Sequence, residues 1–115
     1  AICDAMLGAA ALGDIGVHFP DTSVEFKNID SKILLERSRE LIAAKGYKVV
    51  NVDSSLCLEE PKIKPYVPQM QQVISDILQL DIDAVSVKAT TTEKMGFVGR
   101  GEGLVAYASV LLFRE

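Results

Sequence analysis

The chain has 115 residues, 49% of them apolar and 6% aromatic, with no Trp and a formal net charge of −4. That length allows one domain with its own core, and the acidic balance excludes general binding to nucleic acid or an anionic membrane, which needs a basic surface. Cys3 and Cys57 lack CxxC spacing, which argues for free thiols in a reducing, cytoplasmic compartment and against a disulfide framework or a cysteine metal site.

The first residues, from Ala1 to Leu12, read as a small-residue helix ending near Gly13. They do not open on Met, have no basic leader, and carry too short an apolar run for a signal peptide or a bilayer span. Because the helix is already under way at Ala1, the natural protein is expected to continue upstream, this chain lacking the N-terminal segment. Residues 13–29 form a loop. Asp30 or Ser31 caps a helix to about Lys45, with Ile33, Leu34, Leu41 and Ile42 at helical spacing and Gly46 as its stop. Residues 47–58 are a strand with Val50, Val52, Leu56 and Leu58 on one face, interrupted by Ser54. After a Pro-punctuated loop, Pro68 opens a helix carrying Met70, Val73, Ile74, Ile77 and Leu78 on one side. A strand at about 84–89 leads into a Thr-rich loop. The last segment, Leu104 to Phe113, is apolar on both alternating faces and is expected to be a central strand covered on both sides. Helices and strands alternate with no internal repeat or linker. They predict a single α/β (α+β) domain over residues 1–115, a mixed sheet with helices packed on one face.

The stretch from Lys88 to Gly103 concentrates the chemistry. Thr90, Thr91 and Thr92 offer three adjacent hydroxyls, Glu93 a carboxylate, Lys88, Lys94 and Arg100 three cations, and four glycines frame the rest. Hydroxyls and backbone N–H groups bond phosphate oxygens, cations neutralise them, and a Glu among cations suits a hard divalent ion. A plain structural reading stays open for each part: a Thr-rich strand end with a capping Glu, a loop Phe97 anchored in the core, a solvated Arg100. Asp14-Ile15-Gly16 and Phe19-Pro20-Asp21-Thr22 are ordinary turn chemistry taken alone, and His18, the one histidine, reads as structural or solvated.

Four blocks in order resemble one known family. They are the run from Asp4 to Gly16, Phe19-Pro20-Asp21-Thr22, Pro61-Lys62 with Pro68-Gln69-Met70, and the run from Lys88 to Lys94 followed by Gly96 to Gly103. Together they resemble the 2-C-methyl-D-erythritol 2,4-cyclodiphosphate synthases of the non-mevalonate isoprenoid pathway. The resemblance implies a lyase that closes 4-diphosphocytidyl-2-C-methyl-D-erythritol 2-phosphate into the cyclodiphosphate and releases CMP. It also implies a homotrimer with sites between subunits, a zinc ion whose ligands lie upstream of Ala1, and a second ion, magnesium or manganese, on Glu93. Thr91 would contact the reacting diphosphate, with Thr90 and Thr92 beside it. Asp14, Ile15 and Gly16 would meet the erythritol hydroxyls, and Phe19, Pro20, Asp21, Thr22 and Ser23 would close over that pocket, Ser23 standing where many members carry Asp. Leu58, Glu59, Glu60, Pro61, Lys62, Ile63 and Lys64 would wrap the cytosine, with Lys62 nearest the phosphates. Phe97 and Arg100 would serve the methylerythritol end, and Arg100 and Glu102 would also lie toward the threefold axis. The competing reading is a non-catalytic cytidine-nucleotide and phosphate binder, or trimer scaffold, without the zinc.

Overall fold

In the computed structural model, which describes residues 1–20, 22 and 28–115, the first helix stops earlier than its composition suggests. The expectations for Asp21 and Ser23 fall outside the described residues. Helix α1, Ile2–Ala9, closes when Ala11 takes a left-handed φ of 57°. The Leu12 N–H then bonds the Leu7 carbonyl at 2.8 Å and the Ala11 N–H bonds the Gly8 carbonyl at 3.0 Å. This Schellman closure is built on alanine in a position that usually takes glycine. The loop beyond it contains a one-turn helix α2, Ile15–His18, capped by Asp14, whose Oδ1 accepts from the Val17 N–H at 3.0 Å. His18 ties the corner together, its Nε2 lying 2.7 Å from the Leu12 carbonyl, a contact in which the ring nitrogen must donate.

Helix α3, Ser31–Ala44, begins where expected because the Asp30 carboxylate accepts from the Lys32 N–H at 2.8 Å. It ends at Gly46, whose φ of 86° a side chain would strain. Strand β1, Tyr47–Cys57, follows. Its pairing slips between Val49 and Asn51, a bulge that takes Val50 off the helix-facing row and leaves it 44% exposed. Val50 therefore does not share a face with Val52, as strict alternation predicted. After a 3-10 turn, Lys64–Tyr66, helix α4 runs Val67–Leu78 with Pro68 in its first turn, where a missing N–H costs nothing. A second 3-10 turn, Ile82–Ala84, leads into β2, Val85–Thr90, then the one-turn helix α5, Gly96–Gly99, and β3, Val105–Arg114.

The strand order is β2-β1-β3, β1 running parallel to β2 and antiparallel to β3. Helix α1 packs on β3, α3 on β1 and α4 on β2, with α3 also touching α1 and α4. All three converge on one sheet face, where Met6, Leu7, Leu35, Ile42 and Leu78 enclose Val52, itself 1% exposed. This is the mixed sheet with helices on one face.

Strand β3 departs from expectation. Among the described residues it is an edge strand, and its outward row carries Tyr107 at 63%, Leu111 at 58% and Phe113 at 53% exposure. Its double-sided apolarity does not mean burial on both sides within these residues: one row meets the helices and the other faces outward. Among the described residues no helix is long and apolar enough to cross a membrane.

Candidate functional site

Parallel pairing sets the location of the site. Cys57 and Thr90 are partners at the carboxyl ends of β1 and β2, and the Leu58 N–H extends the ladder by bonding the Thr90 carbonyl at 3.0 Å. Residues 58–64 and 91–95 therefore leave the sheet side by side, at the strand ends where ligands gather in α/β sheets. Between them is a cleft of about 160 Å³ lined by Leu58, Pro61, Lys62, Ile63, Lys64, Ala89, Thr90 and Thr91. Complete small-molecule sites span ~300–1,000 Å³, so this cleft alone is too small for a whole nucleotide-linked substrate.

The Thr-rich turn borders the cleft. The Thr90 hydroxyl donates to the Thr91 carbonyl at 3.3 Å, and the Thr91 hydroxyl accepts from the Glu93 N–H at 3.3 Å. The Thr92 hydroxyl donates to the Met95 carbonyl at 2.6 Å. Glu93 and Lys94, neither a glycine, take consecutive left-handed φ values of 54° and 65°. Gly99 backs the turn so closely that a Cβ there would lie 2.1 Å from the Lys94 carbonyl carbon. The Glu93 carboxylate is exposed and has no side-chain partner among the described residues.

Glu59 and Glu60 do not line the cleft. Glu59 instead reaches the turn: its Oε1 accepts from the Thr92 N–H at 3.2 Å, the Lys94 N–H at 3.0 Å and, more weakly, the Thr92 hydroxyl at 3.5 Å. The Lys94 N–H chiefly holds its carboxyl below the usual range, aided by Thr92 and by the charge of Lys62. A base-wrapping segment with two carboxylates beside a diphosphate would suffer repulsion, and this geometry takes one of them out of the cleft.

Two of the three cations in the Thr-Gly stretch are already engaged by carboxylates. Lys88 donates to Asp53 at 2.9 Å across β1 and β2, and this hydrogen bond is the main cause that holds the Asp53 carboxyl low. Arg100 pairs with Glu102 in an exposed contact. The cations at the cleft are Lys62 and Lys64.

The other predicted residues lie elsewhere in this chain. Asp14 caps α2, and Ile15 lines a separate, larger groove of about 310 Å³ with Ile2, Leu34, Leu56, Met70 and Ile74. The Ile15 N–H is anchored by Asp4 at 2.9 Å. Phe19 follows α2, Pro20 and Thr22 are exposed, and Phe97 is half-exposed against Gly103. One chain thus joins residues 58–64 to the Thr-rich turn, while Asp14, Ile15, Gly16, Phe19, Pro20 and Thr22 do not line that cleft.

Metal chemistry divides the same way. Among the described residues no three His, Cys, Asp or Glu side chains converge, so they supply no zinc-type set. Glu93 fits the other case, since a magnesium-type ion binds one or two carboxylates plus substrate phosphates and keeps its waters.

A sequence model described as the YgbB family matches residues 1–113. The chain belongs to the YgbB family. Among YgbB relatives, 2-C-methyl-D-erythritol 2,4-cyclodiphosphate synthase of Phocaeicola vulgatus is 64% identical over 112 residues, 97% of this chain and 70% of that protein. The enzyme of the same name from Bacteroides fragilis is 60% identical over 114 residues, 99% and 72% of the two chains. The fold is shared with the bifunctional IspDF from Campylobacter jejuni at a TM-score of 0.94 and 43% identity, covering 98% of this chain and 31% of that one. It is also shared with IspF of Plasmodium falciparum, solved as a CDP complex, at a TM-score of 0.87 and 34% identity, covering 100% and 69%. The resemblance read from the four blocks is borne out.

Proposed function

We propose that this YgbB chain is a 2-C-methyl-D-erythritol 2,4-cyclodiphosphate synthase acting in isoprenoid precursor synthesis. One observation carries the reading. The cleft between residues 58–64 and Thr90–Thr91 opens beside Glu93, whose carboxylate has no partner among the described residues, in a chain 64% identical to a synthase of that name. A relative solved with CDP supports a cytidine diphosphate group as the part of the substrate placed here.

In the reaction the substrate's own 2-phosphate oxygen attacks the β-phosphorus of its diphosphate. The bond from that phosphorus to the bridging oxygen breaks, and CMP leaves with the oxygen. No protein nucleophile is needed. Acceleration comes from holding the two phosphates in line and offsetting their charge. Backbone groups of residues 58–64 receive the base, Lys62 and Lys64 offset phosphate charge at the cleft, and the Thr91 hydroxyl holds a β-phosphate oxygen. Glu93 would hold a magnesium or manganese ion, which when bound draws charge from the diphosphate. The described residues supply no zinc set, so no step is assigned to zinc.

Asp14, Ile15, Gly16, Phe19, Pro20, Asp21, Thr22, Ser23, Phe97 and Arg100 serve the methylerythritol end. Asp14 and Ile15 do not line the cleft in one chain, which supports a homotrimer whose sites take residues from neighbouring subunits, and the outward row of β3 is exposed for such contacts. The protein works in the cytoplasm. The deciding assay is CMP release from the diphosphocytidyl substrate with added divalent ions. Stoichiometric cyclodiphosphate and CMP are expected, and cytidine binding without turnover would establish the scaffold reading instead.

A further inference from the structure

We propose that Glu59 is a positioning residue, whose carboxylate oxygen clamps the 92–94 turn and thereby aims Glu93 and Thr91 at the diphosphate. The inference rests on the reading above that Thr91 and Glu93 handle the diphosphate and its divalent ion. It adds a residue that touches neither.

Three observations converge on it. A single atom, Glu59 Oε1, collects the N–H groups of Thr92 and Lys94, the residues on either side of Glu93. Between those anchors the backbone is strained: Glu93 and Lys94 hold left-handed φ values of 54° and 65° without being glycines. Such residues persist only where their surroundings over-determine them, and they gather at functional sites. Finally, the exposed Glu93 carboxylate has no partner among the described residues, so the backbone of the turn is what positions it. Gly99 limits the turn from behind and Glu59 holds it from the side of the 58–64 loop. The same residue joins the two walls of the cleft, which couples the base-binding segment to the phosphate-binding turn.

The arrangement requires an acceptor atom and does not require a charge. Gln keeps an Oε1 at the same reach, whereas Ala removes it. A metal-binding role for Glu59 predicts the reverse, since an amide is a poor substitute for a carboxylate on a hard ion.

The test uses the intact enzyme and its Glu59→Ala and Glu59→Gln variants. Hydrogen exchange is followed at the Thr92 and Lys94 amides, kcat and the apparent magnesium constant are measured from CMP release, and CMP affinity is measured without metal. In Glu59→Ala the two amides should exchange roughly tenfold faster or more. Magnesium dependence and kcat should worsen by roughly 10–100-fold, the usual effect of losing an outer-shell support. Metal-free CMP affinity should stay within about twofold, because the cleft walls still stand. Glu59→Gln should restore protection and most of the turnover.

Wild-type behaviour in Glu59→Ala overturns the inference, and a Gln variant as impaired as Ala overturns it in favour of a charge or ligand role. If the wild-type protein releases no CMP, the proposed reaction itself falls. Amide exchange then decides the clamp alone, and equal exchange in wild type and Glu59→Ala overturns it.

Discussion

Replacing Gly99 by alanine adds one methyl group at the back of the Thr-rich turn. The new Cβ would lie 2.1 Å from the carbonyl carbon of Lys94, 2.6 Å from its Cα and 2.7 Å from its oxygen. These are backbone atoms, so no side-chain rotation relieves the overlap. Contacts of a Cβ stay above 3.0 Å, so the Lys94 backbone must retreat by about 1 Å, an overpacking change that costs roughly 1–3 kcal/mol. For a domain of this size the melting temperature should fall by roughly 5–15 °C. The retreat moves the residue next to Glu93 and pulls on the bond between the Lys94 N–H and Glu59. A displacement of about 1 Å in a positioned group can lower turnover about a hundredfold. The assay pairs thermal denaturation with CMP release measured well below the mutant's transition, so that loss of fold and loss of alignment are separated. Gly99→Ala protein with wild-type kcat and a transition within about 2 °C of wild type would refute the close-approach argument.

Glu93→Gln should flatten the magnesium dependence of CMP release and lower kcat at least about a hundredfold, equivalent to ~2.7 kcal/mol of barrier. Calorimetry with CMP in the absence of metal should find its affinity unchanged, and an unaltered magnesium dependence would remove Glu93 from the metal's coordination shell. Arg100→Ala breaks an exposed pair with Glu102. Such pairs contribute ~0–1 kcal/mol, so the fold should survive while the KM for substrate rises; an unfolded mutant with intact affinity in its folded fraction would make Arg100 structural. The Asp53 carboxyl is held below its ordinary value of 3.8, chiefly by the Lys88 hydrogen bond. A depressed folded-state pKa means the contribution is present above about pH 4 and is lost as pH falls through the folded value. Urea titrations of Lys88→Met between neutral pH and about pH 2 should therefore show a shallower acid-side decline than wild type, and identical slopes would dismiss the pair as a source of pH dependence.

Local signals in the sequence determined much of this protein. The limits of α3 follow from a capping Asp30 and a stopping Gly46, and α4 opens at Pro68, because caps and proline act on backbone groups within one turn of themselves. Apolar periodicity placed α3, α4 and the three strands but not the one-turn helices α2 and α5, and the run from Lys88 to Gly103 stood out by composition. The tertiary structure decided what depends on distant partners. The bulge at Val50 and the edge position of β3 arise from how β1 pairs along its length, which no window of one strand contains. Lys88 and Arg100 looked like free cations until the fold supplied Asp53 and the loop supplied Glu102. The hydrogen bonds of Glu59 to the Thr-rich turn could not be read from the sequence, because the partners are 33 and 35 residues away. Only the parallel register of β1 and β2 brings the ends of those strands together, so the contact between Glu59 and the Thr-rich turn is a product of sheet pairing and leaves no local mark in the chain.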